Sequence, residues 1–136
     1  MNRKRLEQVL RIREIQERGA RGEMARTTQR HRRARAVERR TWDQLDAWPV
    51  DAGSLVALQS VRDAGMLAAD TQHIVTVHAA EQEAGARAEW TVAARRVEAL
   101  ERLAERLREA ESEEAERLQN NEIDDMVLAR RGRETR

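Results

Sequence analysis

Three histidines, a run of glutamates and a block of arginines are the side chains in this sequence whose types could support chemistry. His73 and His78 stand five residues apart, which splays them on a helix, and His31 sits among arginines with no ligand set nearby. Metal ligands must converge on one point, so solvated surface imidazoles are expected at all three positions. The acid run Glu109, Glu111, Glu113, Glu114 and Glu116 lacks the turn and ligand spacing of a calcium loop. It reads as a solvated helix face opposite basic residues. No glycine-rich phosphate loop, nucleophile motif or paired-carboxylate cleft is visible. The expectation is a chain without catalysis, metal or cofactor.

Arg26, Arg30, Arg32, Arg33, Arg35, Arg39 and Arg40 place seven guanidinium groups within fifteen residues. Such a block would hold a phosphate backbone through strongly salt-dependent contacts. Against that reading, no aromatic residue is interleaved to stack bases, no recognition motif follows, and an acidic second half offers internal counter-charge. Nucleic acid is therefore not the expected partner, and a nucleic-acid-binding adaptor stays as the competing reading. A generic dimeric coiled-coil adaptor is another.

The elements that carry these residues follow from composition. The chain has 136 residues, no Phe, no Tyr, three Trp, and 38% charged residues. A globular core of ordinary thickness is hard to assemble from that inventory. Sustained Ala, Leu, Glu and Arg content with regular periodicity points to long helices. The absence of cysteine excludes disulfides and thiolate metal sites. No apolar run is long enough for a membrane span or a secretory signal. Residues 1–48 carry 14 Lys plus Arg against 7 Asp plus Glu, and residues 49–136 carry 12 against 18. A basic helix laid antiparallel on an acidic one would neutralise both.

The stretch from Ala86 to Leu107 shows the most regular pattern. Trp90, Ala93, Val97, Leu100, Ala104 and Leu107 alternate at spacings of three and four, the seam of a coiled coil. The first 48 residues contain no proline and predict one helix over about residues 3–48, roughly 65 Å long. Its apolar face opens with Leu6, Val9, Leu10, Ile12 and Ile15. Pro49 to Ser54 predicts a reversal. A short helix over about 55–64 should follow, ended by Gly65, and then a long helix over about 66–130. In that helix the β-branched cluster Ile74, Val75 and Val77 has no strand elsewhere to pair with, so helix is expected there too. Residues 131–136 predict a disordered basic tail. The fold class expected is all-α, a long antiparallel two-helix coiled-coil hairpin with a short helix near the reversal, forming a single rod.

Three segments together carry a family resemblance: Arg5-Leu6-Glu7-Gln8-Val9-Leu10-Arg11-Ile12-Arg13-Glu14, then Ala86-Arg87-Ala88-Glu89-Trp90 leading into Val97-Glu98-Ala99-Leu100-Glu101-Arg102-Leu103, and Asn121-Glu122-Ile123-Asp124-Asp125 followed by Arg130-Arg131. With them the chain resembles the flagellar FliJ family, small cytoplasmic proteins of the bacterial flagellar type III export apparatus. The resemblance covers nearly the whole chain through degenerate heptad fragments. It implies a stalk and general chaperone that enters the hexameric ring of the export ATPase, links it to the export gate membrane protein, and escorts export chaperones. Location would be cytoplasmic, peripheral to the inner face of the cell membrane. Carried onto this chain, Leu6, Leu10, Arg11, Arg13, Glu122, Asp125 and Arg130 would contact the ATPase. Met66, Leu67 and Ile74, apolar beyond what the seam requires, would contact the gate. The arginine-rich first helix, and Asp125 where the family commonly has Glu, depart from the usual pattern. A stalk protein of the related injectisome systems would look nearly the same.

Overall fold

A computed structural model describes residues 2–47 and 55–135 of the chain. The described residues form two helices, α1 over Arg3–Asp46 and α2 over Leu55–Glu134. α1 begins where Asn2 caps it. The Asn2 side-chain oxygen accepts from the Lys4 amide at 3.3 Å, and its backbone carbonyl accepts from the Arg5 and Leu6 amides. The bond to Lys4 satisfies a donor that a helix start leaves without a partner. The expected reversal over 49–54 lies outside the described residues.

Two expectations about the second half are corrected. No break separates a short helix over 55–64 from a long one, since α2 passes through Gly65 without interruption. Gly65 instead lies against the Leu45 side chain of α1, whose Cδ2 methyl an added Cβ would displace. The basic tail is likewise not disordered through its length, because α2 continues to Glu134. Arg131 and Arg133 occupy its last turn, where cations oppose the negative end of the helix dipole. Arg130 also pairs with Glu134 at 3.7 Å.

The helices divide into two compact units. In the unit made of residues 15–94, the less exposed positions of α1 include Glu17, Ala20, Met24, Thr27, His31, Ala34, Glu38, Thr41 and Leu45. Those of α2 include Gly65, Ala69, Gln72, Thr76, Ala79, Glu83, Ala86 and Trp90. Steps of three and four residues separate them, so each helix offers one narrow face. The two faces meet: Gln72 Nε2 donates to the Ala34 carbonyl at 3.2 Å, and Trp90 reaches Glu17. Small side chains dominate the buried set, which lets the helices lie close but provides little apolar area.

In the other unit, residues 1–14 and 95–136, Leu6 is closed from water at 2% exposure and Ala104 at 8%. Arg3 pairs with Glu111 at 3.3 Å. Val9 and Ile12, expected on the apolar face beside Leu6, are exposed, Ile12 at 56%. The broad apolar face read from sequence therefore contributes only its Leu6 and Leu10 edge. From Arg108 to Glu134 every residue of α2 is exposed.

Candidate functional site

The face between the helices of unit 15–94 is built around three carboxylates. Glu17 is 8% exposed and accepts from the Trp90 indole at 2.8 Å and from Arg21, one turn along, at 2.6 Å. Glu83 accepts from Thr28 at 3.1 Å and from the His31 Nδ1–H across the helix pair, and it also takes Arg87 of its own helix. Glu38 accepts from His73 Nδ1–H at 2.6 Å. Donors of this kind favour the ionised carboxylate. Glu17 is held below the ordinary glutamate range chiefly by the Trp90 bond, Glu83 chiefly by His31, and Glu38 chiefly by His73 and then Thr76. No buried side-chain polar atom among the described residues lacks a partner.

His31 is therefore no solvated surface imidazole. It is part of the contact face, with its carboxylate partner supplied by the other helix. His73 keeps more exposure but is also taken by a carboxylate of the opposite helix. His78 hydrogen-bonds to Gln82 of its own helix. The signal available in the sequence was the heptad step Met24, His31, Glu38, Leu45, hidden because half of it is polar. No group of three or more potential metal ligands occurs among the described residues.

This arrangement has a consequence for the arginine block. Glu17, Glu38 and Glu83 turn toward the opposite helix and are engaged by Trp, Thr and His donors, with Arg21 and Arg87 adding to Glu17 and Glu83. Of the seven arginines, Arg26 pairs with Glu23 on its own helix, and Arg35 lies near Glu38. Arg30, Arg32, Arg33, Arg39 and Arg40 are exposed, with no ion pair or hydrogen bond among the described residues. The internal counter-charge expected from the acidic half is not delivered to them. Arg3 pairs with Glu111 between the helices.

The residues singled out from sequence fall as follows. Leu6 is buried, Leu10 and Arg13 are half-buried, and Arg11, Glu122, Asp125 and Arg130 are exposed. They do not gather at one point. Arg3 lies beside Glu111, whereas Glu122 is eleven residues further along α2, about 16 Å by helix rise. Met66, Leu67 and Ile74 are exposed at 46%, 69% and 68%. Ala104 is buried, and Trp90, Ala93, Val97, Leu100 and Leu107 are half-buried, each within its own unit. No helix among the described residues is long and apolar enough to cross a membrane.

Comparison with known proteins finds no matching family model, no similar curated protein and no similar solved structure.

Proposed function

We propose that this chain is a non-enzymatic stalk and general chaperone of the bacterial flagellar type III export apparatus, built as an antiparallel two-stranded coiled coil. The observation that carries the reading is the pairing of two long helices along narrow faces, combined with the three segments that resemble the FliJ family. The antiparallel sense is supported by the contacts within unit 15–94. As the α1 residue rises through Glu17, His31, Glu38 and Leu45, its α2 partner falls through Trp90, Glu83, His73 and Gly65. The three-and-four spacing of the contact positions fits a coiled coil. A contact face this rich in Ala, Thr and Glu favours a pair that can bend or open.

In this function, exposed Arg11, Glu122, Asp125 and Arg130 bind within the hexameric ATPase ring, supported by Leu6, Leu10 and Arg13. Met66, Leu67 and Ile74, large apolar side chains left in water, dock on the export gate. The protein is cytoplasmic and reaches the membrane's inner face through these partners. No cofactor takes part. The test is to titrate the protein into the export ATPase of the same organism and follow hydrolysis and ring formation together. Stimulated hydrolysis with co-elution as a ring is expected. Neutralising Arg11 and Arg13 should weaken the ATPase complex more than neutralising Arg32 and Arg33. An active ATPase that neither binds nor responds would defeat the proposal.

A further inference from the structure

We infer that the outer face of α1 between Arg26 and Arg40 is a binding surface for the sugar–phosphate backbone of a nucleic-acid duplex. This does not rest on the stalk reading. Three observations carry it.

The first is electrostatic. Five exposed guanidinium groups, Arg30, Arg32, Arg33, Arg39 and Arg40, have no partner among the described residues. Of the carboxylates near them, Glu38 and the facing Glu83 are engaged by His73, Thr28 and His31, and exposed Asp43, three residues from Arg40, makes no ion pair with it among the described residues. Planar guanidinium forks match phosphate oxygens in geometry as well as charge. Neutralising phosphates releases condensed counterions, a source of affinity that needs no apolar contact.

The second is angular. At about 3.6 residues per turn, the seven arginines from Arg26 to Arg40 spread over roughly 220° of the helix circumference. The remaining arc is the one that carries Thr27, His31, Ala34 and Glu38 against α2. A flat anionic lipid surface touches a narrower arc of a cylinder than this. The two walls of a duplex groove touch both flanks at once. A groove about 12 Å wide admits a helix about 10–12 Å across.

The third is what the face omits. Between Arg26 and Arg40 the exposed large apolar side chain is Val37, so nothing there would insert into a bilayer as an interfacial helix does. No aromatic residue stands in that stretch to stack unpaired bases. Backbone recognition of a duplex, without base-specific readout, is what the residue set supports.

The test uses the full chain and a fluorescently labelled DNA duplex, with anisotropy followed as salt is raised. Five phosphate contacts give a slope of log K against log salt of about −4.5, a loss of roughly 500-fold between 50 and 200 mM salt. Arg32→Gln with Arg33→Gln should make the slope shallower by about 1.8. Arg95→Gln with Arg96→Gln, the same change in charge on exposed α2 positions, should leave it alone. Circular dichroism of both variants controls for folding. The inference is overturned by absence of duplex binding at low salt, by equal slopes in wild type and the Arg32/Arg33 variant, or by equal loss in the Arg95/Arg96 variant. Tighter binding to phosphatidylglycerol vesicles than to the duplex would overturn it as well, and assign the face to lipid. No ATPase is present, so this outcome is independent of the stalk proposal.

Discussion

Leu6 and Ile12 look equivalent in the sequence, two branched aliphatic residues of one amphipathic segment, and the structure separates them completely. Leu6 is 2% exposed and Ile12 is 56% exposed. Replacing Leu6 by Ala removes the large side chain most completely closed from water. Buried Leu→Ala substitutions cost about 2–5 kcal/mol, and a site one turn from a helix start can relax, which places this one at about 2–3 kcal/mol. Ile12→Ala removes little buried area and should stay within about 0.5 kcal/mol. The loss at Leu6 should also be local. The α1 segment of its unit, Arg3 to Glu14, is too short to hold as an isolated helix. Amide hydrogen exchange read by mass spectrometry tests both points. In Leu6→Ala, peptides covering residues 3–14 should exchange on the order of 30- to 100-fold faster, while those covering 20–45 keep their rates. Equal acceleration of the two regions, or an Ile12→Ala effect as large as that of Leu6→Ala, would refute the burial argument.

Acidification should loosen the unit of residues 15–94. Glu17, Glu38 and Glu83 have folded pKa values lowered from the ordinary 4.5. The unfolded chain therefore binds their protons first as pH falls, and their contribution is whole above that value and lost below it. A melting midpoint that stays flat from pH 6 to pH 3 would contradict this. Trp90→Phe removes the bond chiefly responsible for lowering Glu17, so the fall in melting midpoint on acidification should be smaller than in wild type, measured by the same melts. Gly65→Val places side-chain atoms where the Leu45 methyl sits; because that flexible end can turn aside, the cost in urea unfolding should be at the low end of overpacking, about 1 kcal/mol. Leu45→Ala in that background should recover part of it, and a purely additive double variant would show that the close approach is not the cause. Removing residues 115–136, all described ones of which are exposed, should leave the urea midpoint of the remainder within about 0.5 kcal/mol.

How far the fold could be read from sequence depended on which residues fill the contact face. Where the face is apolar, as at Trp90, Val97, Leu100 and Leu107, the spacing was plain and the helix followed. The β-branched cluster at Ile74, Val75 and Val77 was also read correctly as helix, because a strand there would have had nothing to pair with. Where the face is polar the pattern disappeared. Gln72, Thr76 and Glu83 on α2, and Glu17, Thr27, His31 and Glu38 on α1, keep the same three-and-four spacing. A hydrophobic periodicity search cannot register them. Gly65 misled for a related reason. A glycine within a helical pattern signals either an end or a close approach, and only the position of Leu45 distinguishes them.

The same concealed face accounts for the charge distribution. A basic first half and an acidic second half suggested mutual neutralisation, which would leave no surface strongly charged. Neutralisation requires the arginines and glutamates to face each other, and among the described residues no glutamate pairs with Arg30, Arg32, Arg33, Arg39 or Arg40. Glutamates at heptad positions turn inward, where a carboxylate needs compact donors of fixed geometry. Indole, imidazole and hydroxyl groups from the opposite helix fit that space. The long guanidinium chains of residues 30–40 have the solvent side of α1 to themselves. Whole-chain net charge, +1, therefore says little about this protein. The charge that a partner meets is set by which ionic groups the helix pair has already used, and between Arg26 and Arg40 it has used Glu38 and left five arginines in water.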